Sequence, residues 1–279
     1  MIVGVTGATG FLGRRVTAEL VKTGHSPHSL ARNPSPESLA STDAVIHLAG
    51  EPVAQRWTPE AKQRIYASRV EGTRNLVNAI SKNGHRPQVL VCASAIGIYG
   101  SRGDEILKED SRPAEDFLAR VVVDWENAAQ SAEALGIRVV NLRFGVVLGN
   151  GGALAKMLPP FKLGIGGRLG SGKQWTSWIH IDDAASLILF AMENGQVRGA
   201  VNATAPHPVT NAQFTHELAR VLHRPAIFPV PPFALRLMFG EMAGVVLASQ
   251  RVLPAAAQAA GFEFRYSDLA PALANLLAQ

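Results

Sequence analysis

Three glycines near the start of the chain have the spacing of a phosphate cradle. Gly7, Gly10 and Gly13 stand in the string TGATGFLG, between an apolar run, Ile2 to Thr6, and a stretch with helical periodicity. Each glycine answers a separate need: one turns the chain, one lets the backbone approach a pyrophosphate, and one packs helix against strand. The helix N-terminus after them turns free N–H groups and the positive end of its dipole toward the phosphates. The spacing predicts a dinucleotide held along Gly7, Thr9, Gly10, Phe11, Leu12 and Gly13. About twenty residues on, where an acid would take a ribose 2′-hydroxyl and an arginine suits a 2′-phosphate, the second strand candidate ends at Arg32. Arg14 and Arg15 lie near the turn, and there is no acid beyond Arg32 until Glu37. NADP(H) is the predicted cofactor.

Other reactive residues invite readings that the sequence argues against. Gly167 to Lys173, GRLGSGK, nearly spells a triphosphate-binding loop, but Gln174 stands where a magnesium-binding Ser or Thr is needed. The next stretch, WTSWIHI, has no helical pattern. His180, Asp182 and Asp183 could suggest a metal site, yet adjacent carboxylates at a strand-to-helix junction serve more often as a cap and its neighbour. No other metal-ligand spacing accompanies them, so no metal is expected. Cys92 sits inside an apolar strand, where a thiol is inert.

The elements that position these residues are set by periodicity. Leu12, Val16 and Leu20 share one helical face that Gly24 closes, and DAVIHLAG, Asp43 to Gly50, reads as a buried strand entering a glycine turn. Thr58-Pro59-Glu60 starts a helix with an N-cap, a first-turn proline and an acid at the positive dipole end; it runs to about Gly84. Strand VLVCAS, a polar loop, a helix through Trp125 and Glu126 ending at Gly136, and strand IRVVNLR come next. This alternation predicts an α/β, doubly wound parallel sheet covered on both faces. After Gly149 a Gly- and Pro-rich stretch interrupts it, then WIHIDD returns to a strand leading into a helix, Asp183 to Glu193. A helix over about Phe233 to Gln250, a short strand at Phe262 to Tyr266 and a last helix from Ser267 complete the reading.

Composition sets limits. At 279 residues, with 47% hydrophobic and 18% charged residues, the chain can bury one substantial core and is not a disordered polyelectrolyte. Its net charge of +5 comes from scattered Lys and Arg without a basic run, which favours a surface that accepts phosphates over one that binds nucleic acid. No apolar stretch approaches the ~20 residues of a membrane span. Met1 runs straight into a strand with no basic leader, and a single cysteine fits a reducing compartment. A cytoplasmic protein with no membrane partner is expected.

TGATGFLG, DAVIHLAGE, SRVEGTRNLVNAI and CASAIGIYG together resemble the extended short-chain dehydrogenase/reductase superfamily. RWTPEAKQRIYASRVEGT, FLARVVVDWE, LRFGVVLGNGGALAKMLPPFKLGIGGRLGSGKQWTSWIHIDD and SQRVLPAAAQAAGFEFRYSDLAPAL resemble its atypical, epimerase-like branch with a C-terminal domain of unknown function. The resemblance runs nearly end to end. It implies a Rossmann-like domain over residues 1–229, a small C-terminal domain over 230–279, and a substrate lobe to which the 150–178 loop contributes. It also implies that Leu48, Ala49, Gly50, Arg69 and Arg143 join the glycine turn and Arg32 around NADP(H). Arg143 further ends a strand where ligands collect in open α/β sheets. Pairing of the helix Glu60 to Lys82 and the helix ending near Gly136 into a homodimer is a family expectation as well.

Two departures stand out. Asn33 to Thr42 is too short for the extra strand and connection that relatives carry there, which alters the adenine side of the pocket. The superfamily's catalytic Tyr-x-x-x-Lys is absent: with Glu126 aligned to the usual acid on that helix, Leu118 and Val122 take the Tyr and Lys places. Ser94 keeps the usual hydroxyl position and Tyr99 comes on the next loop, so these two are the expected catalytic residues; Glu109 and Asp110 are further acids on that loop. Two functions are open: an NADP(H)-dependent oxidoreductase or epimerase on an unidentified carbonyl or hydroxyl substrate, or a non-catalytic NADP(H)-binding sensor or interaction protein.

Overall fold

The computed structural model describes residues 1–278. Its centre is a sheet of six parallel strands: β1 (Ile2–Thr6), β2 (Ser26–Leu30), β3 (Ala44–His47), β4 (Val89–Ala95), β5 (Arg138–Phe144) and β6 (Gly199–Ala203), in the spatial order β6-β5-β4-β3-β1-β2. The inner strands β1, β3, β4 and β5 are short, mostly apolar runs buried on both faces, as a parallel sheet between helix layers requires, whereas the edge strand β2, SPHSL, buries only Leu30. After β1 the chain moves outward to β2, then crosses back to place β3 on the other side of β1. That reversal opens a crevice beyond the carboxyl ends of β1 and β3.

Helices α1 (Phe11–Lys22) and α5 (Ile181–Glu193) cover one face, and α2 (Pro59–Ser81) and α3 (Phe117–Gln130) cover the other. The Thr58 hydroxyl caps α2 by accepting from the Ala61 N–H at 3.2 Å, with Pro59 pre-setting the first turn. α3 passes through a 3-10 turn to Gly136, whose φ of +79° suits glycine and stops it. Between β2 and β3 a 3-10 turn, Pro36–Leu39, drives the fully buried Leu39 into the core beneath α2, so the short connection closes without another strand.

The rest of the chain forms a lobe beside the sheet and returns to it. The Gly- and Pro-rich stretch contains α4 (Gly152–Lys162), which carries Pro159 and Pro160 and packs with α6 (Asn211–Leu222) and α10 (Leu269–Leu277) around Trp178. The single helix expected over Phe233 to Gln250 is broken. α7 (Pro232–Phe239) stops at Gly240, with φ +60°, and after a 3-10 turn comes α8 (Ala243–Leu247). Arg251–Val252 then pairs in parallel with Ile106–Leu107, and α9 (Ala255–Ala259) lies against β6. Residues 262–266 do not form the expected strand. The chain bends at Arg265, and the Arg265 and Tyr266 N–H groups donate to the Asp183 carboxylate at 3.0 and 2.9 Å instead of to a neighbouring strand. Phe262 packs into the core between sheet and α5. No helix of the described residues is long and apolar enough to cross a membrane.

Candidate functional site

The glycine turn joins β1 to α1 at the edge of the crevice, and each glycine is there for a different reason. Gly7 has φ +70°, and a Cβ on it would lie 2.9 Å from the Ala49 nitrogen, so the turn can press against the exit of β3 only as glycine. A Cβ on Gly13 would sit 2.1 Å from the Gly7 carbonyl oxygen. A Cβ on Gly10 would meet only that oxygen, at 3.1 Å, leaving the outer side of the turn open. No side chain caps the N-terminus of α1 and no acid stands in its first turn, so its free N–H groups face outward. The glycines of the 149–152 stretch form a slot for the Phe11 ring, which a Cβ on Gly151 would strike at 2.6 Å.

Arg32, two residues beyond β2, is exposed and makes no hydrogen bond or ion pair among the described residues. Arg15 is spent on Glu19 and Asp182, both at 2.7 Å, while Arg14 donates to the Thr9 carbonyl at 2.6 Å. Leu48, Ala49 and Gly50 leave β3 alongside the turn, held by a residue trio that sequence reasoning missed. The Thr6 hydroxyl lies 2.7 Å from His47 Nδ1 and accepts the Leu48 and Ala49 N–H groups at 3.2 and 3.3 Å. His47 Nε2 contacts Thr73 at 3.0 Å, and burial lowers this imidazole's pKa to about 4. The signal was present: two polar residues each end an otherwise apolar strand. Arg69 sits behind the loop, donating to the Glu51 carbonyl at 2.9 Å with its guanidinium 5.2 Å over Trp125; burial lowers its pKa to about 10.

Arg143 does not stand in the crevice as a free phosphate ligand. It is 7% exposed and grips Glu126 with two bonds of 2.8 Å, while Nη1 reaches the Tyr99 hydroxyl and the Glu109 carbonyl at 2.9 Å each. Burial alone would lower its pKa, but the Glu126 pairing outweighs burial and holds it above the ordinary value. The pairing exists because β4 and β5 are in register, setting Ser94 opposite Arg143, while α3 lays Glu126 across both. Ser94 donates to Glu126 at 2.6 Å. Tyr99 is fully buried and donates to Asn202 at 2.7 Å; burial raises its pKa, with Arg143 opposing. Ser94, expected to orient a carbonyl, and Tyr99, expected to offer a phenol, thus both direct their O–H groups to interior acceptors. The Glu109 carboxylate is also occupied, accepting the Asn202 and Ala256 N–H groups at 3.0 Å each.

Leu118 and Val122 face inward. A Cβ on Gly97 would meet the Leu118 side chain at 2.6 Å, and Val122 packs with Ile98, Tyr99 and Val252. Neither can move a proton. Leu118 also lines a cleft of about 260 Å³ between the start of α3 and the α7–α8 segment. Trp57 forms its outer wall, edge-on to Phe117 at 5.3 Å between ring centres.

The other reactive residues are structural. The GRLGSGK loop is pinned by Asn211 and leads into a short strand, Trp175–Thr176, not a helix. His180, not an aspartate, caps α5 by accepting from the Asp182 N–H at 3.0 Å. Burial raises the Cys92 thiol pKa.

Residues 3–203 match the model of the NAD dependent epimerase/dehydratase family, and residues 230–276 match a domain of unknown function, DUF1731. The chain is 43% identical to Epimerase family protein YfhF of Bacillus subtilis, over 100% of this chain and 98% of that protein. It is 41% identical to the chloroplastic epimerase family protein SDR39U1 homolog of Arabidopsis thaliana, over 99% and 87% of the two. The crystal structure of the human epimerase family protein SDR39U1 with NADPH superposes with a TM-score of 0.92 at 34% identity, covering 100% of this chain and 99% of that one.

Proposed function

The chain belongs to the NAD dependent epimerase/dehydratase family, with a DUF1731 domain at its C-terminal end, and on that premise we propose that it binds NADPH and reduces a carbonyl substrate with it. The observation that carries the cofactor is the pairing of an open glycine turn with the unpartnered Arg32 guanidinium at the end of β2. The NADPH bound to the human relative supports it. Gly7 and Gly13 let the turn close against β3 and α1, Gly10 leaves room for the pyrophosphate, and the α1 N–H groups face it. Arg32, aided by Arg14, takes the 2′-phosphate. The Thr6–His47–Thr73 trio holds the Leu48–Gly50 wall of the crevice, with Arg69 bracing that loop from behind.

NADPH when bound supplies a hydride; this chain's residues orient and enclose. Because Leu118 and Val122 are apolar and Ser94 and Tyr99 give their protons inward, the proton for the substrate oxygen comes from solvent at the mouth of the cleft. General acid–base groups contribute about 10²–10⁴-fold, so turnover is slow and sugar-nucleotide epimerisation undetectable. The same apolar pair favours a second reading, a cofactor-binding sensor without turnover, which absence of NADPH oxidation across a carbonyl panel would support. The protein works in the cytoplasm, in keeping with its single buried thiol, and pairs through α2 and α3; a monomeric mass by light scattering at micromolar concentration would dismiss the dimer.

The decisive experiment compares cofactors. Charge-assisted bonds to a 2′-phosphate are worth roughly 1.5–3 kcal/mol, so wild-type protein should prefer NADPH to NADH by about 10–150-fold. Arg32→Ala should remove most of that preference and leave NADH binding nearly unchanged. Equal affinity of the wild type for both cofactors would defeat the assignment.

A further inference from the structure

The cleft beside Leu118 carries information about what it admits. Its floor and walls are largely apolar, formed by Trp57, Phe117, Leu118, Val245 and Ala248, with Ser101 and Gln250 as the neutral polar side chains; the Gln250 amide already donates to the Ile96 carbonyl at 2.9 Å. The charged side chains lining it are Asp116 and Glu241, both acids. Asp116 accepts the Ala119 N–H at 2.9 Å, so the N-terminus of α3, which could have faced an anion here, already holds a carboxylate. Of the cations beside the rim, Lys62 pairs with Glu241, its ammonium 5.2 Å over the Phe117 ring, while Arg56 lies outside the lining, exposed beside Gly240. No Arg or Lys lines the cleft among the described residues. At about 260 Å³ it lies below the ~300–1,000 Å³ of ordinary ligand pockets.

A diphosphate needs cations or free N–H groups close at hand, since desolvating it among apolar walls and like charges is unfavourable. This cleft offers it two carboxylates. A ring or short chain with one neutral polar end suits the same surface, because apolar contact with the aromatic wall supplies the affinity.

Resting on the NADPH reading above, we propose that the cleft admits a compact, largely apolar aldehyde or ketone without negative charge and refuses nucleoside-diphosphate sugars. In the reduction, the carbonyl carbon gains a hydride from NADPH and the oxygen gains a proton from water. The C=O π bond is lost, and an alcohol and NADP⁺ leave. The Asp116 and Glu241 rim sets the sign of the substrate's charge, and the Trp57–Phe117 wall sets its apolar character.

Binding can be read without turnover. Acetophenone, cyclohexanone and UDP-glucose are titrated against the full chain, with and without NADPH, by ligand-observed NMR and by quenching of tryptophan fluorescence, with Trp57→Phe as the control. The ketones should bind and UDP-glucose should not. Val245→Trp and Ala248→Phe, which fill the cleft from partly exposed positions, should each weaken ketone binding about tenfold or more at unchanged NADPH affinity. Glu241→Lys should raise UDP-glucose binding to a measurable level. UDP-glucose binding to the wild type as tightly as the ketones would overturn the proposal. So would undiminished ketone binding in both filled variants. Ketone binding that obeys the filled variants in a protein that fails to bind NADPH would uphold the cleft's selectivity and sink the cofactor reading and the reduction step.

Discussion

Substituting Glu126 by Ala leaves a buried guanidinium without its partner. The Arg143 and Glu126 side chains are 9% and 13% exposed, and the pair is joined by two bonds of 2.8 Å. Removing one member of such a pair costs about 3–5 kcal/mol, because the remaining charge stays out of water. Against a total stability of about 5–15 kcal/mol, that is a large fraction. At roughly 2–4 °C per kcal/mol for domains of comparable size, Glu126→Ala should melt about 6–20 °C below wild type. Glu126→Gln, which keeps the shape and loses the charge, should lie between the two. Arg143→Met with Glu126→Leu should cost less than the sum of the single changes, with a coupling of up to about 3 kcal/mol in a double-mutant cycle. The assay pairs thermal melts with NADPH titration. Arg143→Met should lower the melting temperature and leave NADPH affinity within about twofold, whereas loss of a charged phosphate contact would cost about tenfold or more. A variant that melts like wild type and loses NADPH affinity would refute the assignment of Arg143 to the interior and restore it to the cofactor site.

Gly10→Val should abolish NADPH binding at a small cost to the melt, since its Cβ would meet only the Gly7 carbonyl oxygen, at 3.1 Å, and its methyls would fill the outer side of the turn; calorimetry showing retained binding would place the phosphates elsewhere. Tyr99→Phe removes a hydroxyl that donates to Asn202 and accepts from Arg143, so a loss of about 1–3 kcal/mol in stability without change in NADPH affinity is expected. Denaturant titration showing no loss would return Tyr99 to the search for a catalytic acid. His47 has its pKa lowered from 6.5 to about 4 by burial, so the folded state resists protonation while the unfolded state accepts it. Its contribution is therefore complete above pH 6.5 and is lost progressively as pH falls toward 4, at up to about 1.4 kcal/mol per pH unit. Melts at pH 7 and pH 5 should show a smaller difference for His47→Gln than for wild type; identical differences would mean that another group carries the acid sensitivity.

Much of the cofactor-binding half was legible because it rests on local forces. The 3.6-residue period of Leu12, Val16 and Leu20, the Thr58 cap with Pro59, and the left-handed Gly136 are decided within a turn or two of chain. The glycine turn could be read because backbone conformation and close approach are demands on single residues. Arg32 is left exposed, since nothing in the fold consumes it. Where the outcome depended on a distant partner, residue type was insufficient. Arg143 ends a strand as a ligand would, yet register with Ser94 and the approach of Glu126 from α3 turned it inward. Phe262 to Tyr266 has strand composition, yet the Asp183 carboxylate took the N–H groups a ladder would have used. The apolar stretch after Phe233 could have continued as one helix, but the chain broke at Gly240 and brought α8 over Trp57 and Leu118. Local backbone preferences act within a few residues and can be read from the sequence. Buried polar groups must find partners wherever the fold supplies them, so the interior network and the cleft were decided by tertiary structure.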